Sequence, residues 1–344
     1  MVLYILIIFF TISPFFPAAR NPHWFFRTAD FVRLQSLLLQ LALLLLFFYF
    51  EKNYTTFSWI LLFALLTSMV YQCFKVFPYS SIFPRRRSHA ASDGHVSILA
   101  GNVLQTNSSY PDFLNEIKHF DPDLVLTMES NKDWENGLSE IEENYPFTVK
   151  VPLENFYGMH LYSKKELENI EVKYQIEDDK PSIFFNYPNE DNLPIFFCCL
   201  HPAPPSPTEN ETSKERDAEL MLTGKHIRKL DKPTIVCGDM NDVVWSRTTR
   251  LFKKMTGMID PRVGRGFFST FHADYFFLRF PLDHLFHTRD LYVGKMIRSK
   301  NFGSDHFAMY YEIHHKKKAE TPKNPKLNGD EKEEIDELIE EGKN

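Results

Sequence analysis

The sequence predicts an α/β or α+β sandwich carried on a membrane anchor, and three observations point there. Residues 1–77 hold three apolar stretches, Val2 to Phe16, Leu34 to Phe50 and Phe57 to Phe77, with only five basic and two acidic residues among them. From His95 onward, short apolar runs alternate with helical stretches, and several strands follow one another directly. That pattern suits packed sheets with outer helices better than a TIM barrel. Finally, the apolar runs repeatedly end in a residue able to bind a metal, move a proton or donate a hydrogen bond.

The anchor comes first along the chain. Crossing the hydrocarbon core takes about 20 apolar residues, with a lower limit of about 17. The third stretch meets this and the second is at the short end. The first contains Pro14 and Pro17 and could span, re-enter or act as a start signal. No basic region precedes it and two more apolar stretches follow, which argues against a cleaved signal peptide. Arg20, Arg27 and Arg33 precede the second stretch, and Lys75 at the end of the third is followed by Arg85 to Arg87, whereas the link between the two holds only Lys52 as a basic residue. Basic flanks stay inside, so the soluble part is expected in the cytoplasm, with the chain integral to an inner or plasma membrane. No ionisable residue lies in the three apolar cores, so transport and proton relay lose support. The segment reads as an anchor.

Residues 78–93, with arginines, serines and prolines, read as a linker, and 94–315 as a catalytic domain. Strands are expected at Val96–Asn102, Leu124–Glu129, Phe147–Val151, Met159–Tyr162, Ile183–Tyr187, Ile195–Leu200, Thr234–Cys237, His284–His287 and Phe307–Ile313. Helices are expected at Asp112–Phe120, Lys132–Glu143, Ser213–Leu230 and Trp245–Met255, the third opened by a Thr212/Glu215 capping box. The tail 316–344, with seven basic and nine acidic residues, is expected to be disordered apart from a short helix near Glu333–Glu341. The whole chain carries a charge of −6, and nearly all the acidity lies outside the anchor. No strong basic run grips a polyanion non-specifically, which counts against a DNA coat protein without excluding a nuclease. Cys73, Cys198, Cys199 and Cys237 sit in apolar runs and read as small buried residues, not as a disulfide framework.

The chemistry gathers at the strand ends. Runs lead into Asn102, Glu129, His201, Asp239 followed by Met240 and Asn241, Asp283-His284 and Asp305-His306. Singly, an Asp or Asn after a strand is turn chemistry. Six such endings, on strands that share a sheet rim, could converge on one site.

The ordered set Asn102, Glu129, His201, Gly238-Asp239-Met240-Asn241, Leu282-Asp283-His284 and Ser304-Asp305-His306 resembles the endonuclease/exonuclease/phosphatase superfamily over residues 94–315. Gly158 to Lys164 also resembles that family's strand ending in Ser and a basic residue. Together with residues 1–77, the chain looks like a membrane-anchored branch. The resemblance implies a four-layer α/β/β/α sandwich of the DNase I-like kind and Mg²⁺-dependent phosphoester hydrolysis, with Mn²⁺ as a substitute ion. Carried over by position, Glu129 would be the metal carboxylate, with Asn102 and Asp305 completing the metal's surroundings. His306 would handle the proton, oriented by Asp283. Asp239 would align or deprotonate the attacking water, and Asn241 and His201 would donate to the phosphoryl oxygens. One metal or two stays open.

Many members carry an arginine in the strand before the His201 strand; here that strand reads Ser182 to Tyr187, so phosphate contacts would have to come from Arg247, Arg262, Arg265 or Lys300. His284 and His287 are expected to satisfy local hydrogen bonds and His160 to be a strand residue without chemistry. Loops 201–210 and 264–272, the first stiffened by prolines and the second rich in aromatics, are expected to set specificity. The implied substrate is a phosphoester: a lipid phosphate or a nucleic acid, with a soluble phosphomonoester as a further candidate. A non-catalytic phosphate-binding membrane module is the reading from another class, and nothing in the sequence points to a protein partner.

Overall fold

The computed structural model describes residues 1–85, 91–189, 193–316 and 325–343. The chain begins with α1 (Val2–Ile12), which continues as a 3₁₀ segment over Ser13–Ala19 holding Pro14 and Pro17. Then come α2 (Trp24–Phe31), α3 (Arg33–Phe50) and α4 (Thr56–Val76). Val2–Ala19, Arg33–Phe50 and Thr56–Tyr79 are each long and apolar enough to cross a membrane. At the ordinary rise per residue of each helix type, the first reaches about 30 Å despite its prolines. Between α3 and α4, Gln40 donates to Ser68 Oγ at 3.0 Å and Gln72 donates to Gln40 Oε1 at 2.7 Å. In apolar surroundings such bonds fix one helix against the other.

Eleven strands follow: β1 (Ala91–Asn102), β2 (Leu124–Met128), β3 (Phe147–Val151), β4 (Met159–Ser163), β5 (Glu168–Lys173), β6 (Ser182–Tyr187), β7 (Ile195–Cys199), β8 (Thr234–Asp239), β9 (Asp283–His287), β10 (Leu291–Arg298) and β11 (Met309–Lys316). They form a six-stranded sheet in the order β10-β11-β1-β2-β4-β3 and a five-stranded sheet in the order β5-β6-β7-β8-β9. Period-two alternation gives each sheet two apolar faces. Ile98, Leu126 and Tyr311 of one sheet and Phe185, Phe197 and Ile235 of the other meet in the central core. The outer face of the first sheet, with Leu99 and Val125, packs on α5 (Tyr110–Phe120) and α6 (Lys132–Gly137) through Phe113 and Trp134. The outer face of the second, with Cys198 and Val236, packs on α7 (Lys214–Ile227) and α8 (Arg247–Thr256) through Met221 and Phe252. This is the four-layer α/β/β/α sandwich.

Several elements differ from expectation. β5 and β10 were not foreseen: both end a sheet, and β5 is mostly exposed, so neither shows a clean alternation. The Thr212/Glu215 capping box does not form. The helix begins at Lys214, the Ser213 hydroxyl donates to Asp217 at 2.9 Å, and Glu215 accepts from Asn210 at 3.4 Å. Helix α6 is one and a half turns long and gives way to a 3₁₀ turn at Ser139–Glu143. The tail, expected to be disordered apart from a short helix near Glu333–Glu341, carries there a longer α9 (Gly329–Glu341), opened by a true capping box at Asn328 and Glu331. Its Ile335 and Ile339 bury against the α7–α8 layer, which supplies the apolar surface that overrides its polar composition. Residues 317–324 of that tail lie outside the described residues.

The expected linker at 78–93 also falls partly outside them, and its start is not free. Val76 and Tyr79 pack with Val243, Val244, Trp245 and Leu282 of the sandwich, and the Tyr79 hydroxyl donates to the Val244 carbonyl at 3.0 Å. Helix α2, also unforeseen, adds two ties: Trp245 Nε1 donates to the Asp30 carbonyl at 2.8 Å, and Arg27 donates to Asp217 at 3.2 Å. Asp217 is buried and also holds Arg216; burial alone would raise its pKa, but the two guanidiniums bring it below the ordinary carboxylate value.

Candidate active site

Strand direction explains why the singled-out residues meet. β1 and β2 run parallel, so Asn102 and the residue after Met128, Glu129, emerge at one rim. β7 and β8 also run parallel and deliver His201 and Asp239 to the matching rim of the other sheet. β9 is antiparallel to β8 and starts there, with Asp283 opposite Asp239. β11 is antiparallel to β1, and the segment entering it brings Asp305 and His306 alongside. Of the eight residues expected from the sequence, seven line one cavity of about 420 Å³, and the eighth, Asp283, stands behind His306.

Asp239 is the hub. Asn102 Nδ2 donates to it at 3.2 Å, His306 Nε2 lies 3.5 Å away and His201 Nε2 3.9 Å away, while its other oxygen accepts from the Asn241 backbone N–H at 3.0 Å. Gly238 delivers it. The backbone there has φ +134°, and a Cβ would meet the Leu200 carbonyl oxygen at 2.0 Å, so only glycine fits between the two strand ends. The Asn241 side chain donates to the Pro202 carbonyl at 3.0 Å, tying this turn to the His201 loop, and Arg216 holds the Asn241 carbonyl at 2.7 Å. Asn241 and Glu129 both adopt left-handed backbone, φ 49° and 59°; asparagine tolerates that conformation, whereas a glutamate adopts it only when the surroundings impose it.

His306 Nδ1 and Asp283 Oδ2 are 2.9 Å apart, and the Ser304 hydroxyl sets the turn by accepting from the His306 N–H at 3.0 Å and donating to the Asn102 carbonyl at 2.9 Å. Burial works against charge on His306, but Asp283 and Asp239 outweigh it and hold the ring's pKa up at about 10. His201 is the opposite case. Burial brings it down to about 4, beyond what Asp239 restores, so it is neutral. One rim thus carries a cationic and a neutral imidazole.

Asn102 Nδ2 also donates to Glu129 Oε1 at 2.7 Å, and Glu129 Oε2 takes only a 3.4 Å contact from the Gln105 N–H. Burial pushes this carboxyl up to about 7; Asn102 and His306 pull it down, while Asp305 and Asp239 push it further up. A buried acidic set short of counter-charge fits a divalent cation, and Asn102, Glu129 and Asp305 supply the hard oxygen donors that Mg²⁺ accepts. Ligand atoms of Asp239, Asp283 and His306 also lie within 4.8 Å of one another. There, however, His306 and Asp283 are bonded to each other and the ring is cationic, and a metal needs a neutral imidazole.

The four bases nominated for phosphate contacts do not reach the cavity. Arg262 is buried against Asp260 at 2.9 Å, Arg265 donates to the Val293 and Gly294 carbonyls, Arg247 pairs with Glu334, and Lys300 is exposed elsewhere. His284 Nε2 donates to the Asp242 and Pro281 carbonyls, at 2.8 and 3.1 Å, and His287 Nδ1 donates to the Thr288 carbonyl at 2.8 Å. The remaining walls were partly foreseen. Loop 201–210 contributes Pro204 to Ser206, Thr208 and Glu209, and loop 264–272 contributes Phe271. Tyr157, which donates to Glu209, and Phe31 of α2 carried no signal in the sequence. Phe31 meets Phe280 edge to face, and Gln35 of α3 donates to the Phe277 carbonyl at 2.7 Å. Beside this contact Tyr275, Phe276, Phe277 and Leu278 are all more than half exposed.

The model of the Endonuclease/Exonuclease/phosphatase family matches residues 99–306. The chain belongs to that family. It is accordingly a metal-dependent hydrolase of phosphoester bonds, with a buried acidic and histidine cluster at the expected rim. Solved structures share the fold. Truncated TDP2 of Caenorhabditis elegans superposes with a TM-score of 0.54 at 14% identity, over 65% of this chain and 100% of that one. TDP2 of D. rerio, complexed with a single-strand DNA product, gives 0.55 at 14% over 64% and 100%. The human Nocturnin catalytic domain, with a bound sulfate anion, gives 0.54 at 15% over 67% and 97%. No curated protein matches the chain by sequence.

Proposed function

We propose that the chain is a membrane-anchored, Mg²⁺-dependent phosphoesterase whose substrate is a phosphoester carried by the bilayer. The observation that carries this is Phe31. A residue of the segment joining the first two apolar spans forms a wall of the catalytic cavity, and an exposed aromatic loop, 275–278, leans on the start of α3 beside it. An enzyme for a soluble polyanion would want cations around that mouth, and the nominated arginines lie elsewhere.

In this reading Asn102, Glu129 and Asp305 hold the metal, which supplies charge neutralisation at the phosphoryl group. Asp239 accepts the proton of the attacking water. His306, held cationic and oriented by Asp283, hydrogen-bonds the phosphoryl oxygens and hands a proton to the leaving oxygen. His201 and the second amide hydrogen of Asn241 donate to the remaining oxygens. Detergent-purified protein offered membrane phospholipids and plasmid DNA side by side, with Mg²⁺ or EDTA and with His306→Ala as the blank, tests the proposal. Metal-dependent lipid turnover with intact DNA is expected. Nicked DNA with intact lipid would replace the bilayer substrate with a nucleic acid. The basic flanks support a cytoplasmic catalytic domain; labelling of a cysteine introduced in the tail by an impermeant reagent on intact cells would reverse that.

A further inference from the structure

A second cavity, of about 340 Å³, lies where the anchor meets the α8–α9 face, and it shares no lining residue with the catalytic one. We infer that it is a binding site for a phosphate-bearing anion, supplied by a lipid headgroup or by a soluble phosphate. Four cations converge on it: Lys75 from the last turn of α4, and Arg247, Arg250 and Lys254 from α8. The α8 residues fall at intervals of three and four, so they share one face of that helix, an arrangement that repels itself unless counter-charge lies opposite.

Three carboxylates also border the cavity, and each is already engaged. Asp30 pairs with Arg33, Glu334 with Arg247 and Glu331 with Lys254. Lys75 and Arg250 have no carboxylate partner among the described residues; Arg250 donates only its Nε, to the Ser246 carbonyl at 3.2 Å. Behind the wall, fully buried Arg33 lies over the Tyr71 ring at 5.4 Å, and its Nη1 has no partner among the described residues. The positive charge is therefore in excess, concave and partly desolvated, which is the condition for binding a compact anion. Lys75 stands four residues from the end of the Thr56–Tyr79 span, at the depth where headgroups begin. Acidic helix α9 sets how much of this charge is free, because Glu331 and Glu334 occupy two of the four cations.

The lipid source rests on the membrane-anchored reading; the soluble source does not. The test uses the full chain in detergent with EDTA, so that the catalytic site holds no metal. Binding of dioctanoyl phosphatidic acid, dioctanoyl phosphatidylcholine and inorganic phosphate is followed by titration calorimetry. Phosphatidic acid should bind and phosphatidylcholine should not. The Lys75→Gln/Arg250→Gln double variant should bind about 30-fold more weakly. Glu331→Gln/Glu334→Gln should bind several-fold more tightly, a gain that a misfolded protein cannot show. Inorganic phosphate binding as well as phosphatidic acid would assign the site to a soluble anion. Binding unchanged in both double variants would overturn the site, whatever the fate of the lipid-hydrolase reading.

Discussion

Asp283 is bonded to His306 through Nδ1 at 2.9 Å, which turns Nε2 of the same ring to the cavity, 3.5 Å from Asp239. The pairing fixes both the orientation and the charge of the imidazole, and only one of its two nitrogens is left for chemistry.

His306→Ala and Asp239→Ala should each lower turnover by a factor of roughly 100 or more, because each removes a positioned proton-transfer group. Their double variant should be little worse than either single one, since the two act as a unit. Steady-state rates on whichever phosphoester the protein turns over in the lipid and DNA assay check this, and a wild-type-like rate in either single variant would remove that residue from the mechanism.

Glu129→Gln keeps the shape of the side chain and its bond to Asn102 while removing the charge. It should raise the Mg²⁺ concentration needed for half-maximal activity by at least tenfold, in the range seen when a metal's surroundings are altered. Direct Mg²⁺ titration of the inactive protein gives the same quantity without turnover. An unchanged titration would take Glu129 out of the metal's surroundings.

Gly238→Ala forces a methyl group onto the Leu200 carbonyl at a φ that alanine avoids. The expected cost is about 3 kcal/mol or more. Thermal unfolding in detergent should show a lowered midpoint, and the residual folded protein should also be less active, since Asp239 is the next residue.

His160 and His287 are buried away from the catalytic cavity, and burial lowers both from 6.5 to about 4. Their folded-state values lie below the unfolded one, so the unfolded chain takes up protons first as pH falls. Stability is full above about 6.5 and declines towards 4, with each residue costing about 2 kcal/mol at pH 5. Melting temperature should fall steadily between pH 7 and pH 5. A flat profile would show that neither imidazole is held neutral.

Much of the catalytic rim was legible in the sequence because its residues sit at the ends of buried strands, where an apolar run stops abruptly at a charged or amide side chain. Topology then does the rest, since parallel β1/β2 and β7/β8 must end on the same side. What escaped had no such punctuation. β5 and β10 lie at sheet edges. Helix α9 was foreseen only as a short helix near Glu333–Glu341, because its docking depends on a partner surface for Ile335 and Ile339. Phe31 sits in a stretch that composition assigns wholly to the anchor, and nothing local says that it faces a catalytic cavity built from residues between Asn102 and His306. The nominated arginines failed for the converse reason: a cation's availability depends on which acceptor it meets, and Asp260, Glu334 and the Val293 and Gly294 carbonyls belong to no motif.

The cluster of Val76, Tyr79, Val243, Val244, Trp245 and Leu282 has a practical consequence. A catalytic domain that makes no contact with the apolar helices before it can be cut free of them without harm. Here the cut would strip the cover from Trp245 and Leu282, take away Phe31, and leave Asp217 without one of its two guanidiniums. The released fragment would carry a bare, sticky face and an unsealed mouth, so it should aggregate and lose activity even though every catalytic side chain is still attached to it.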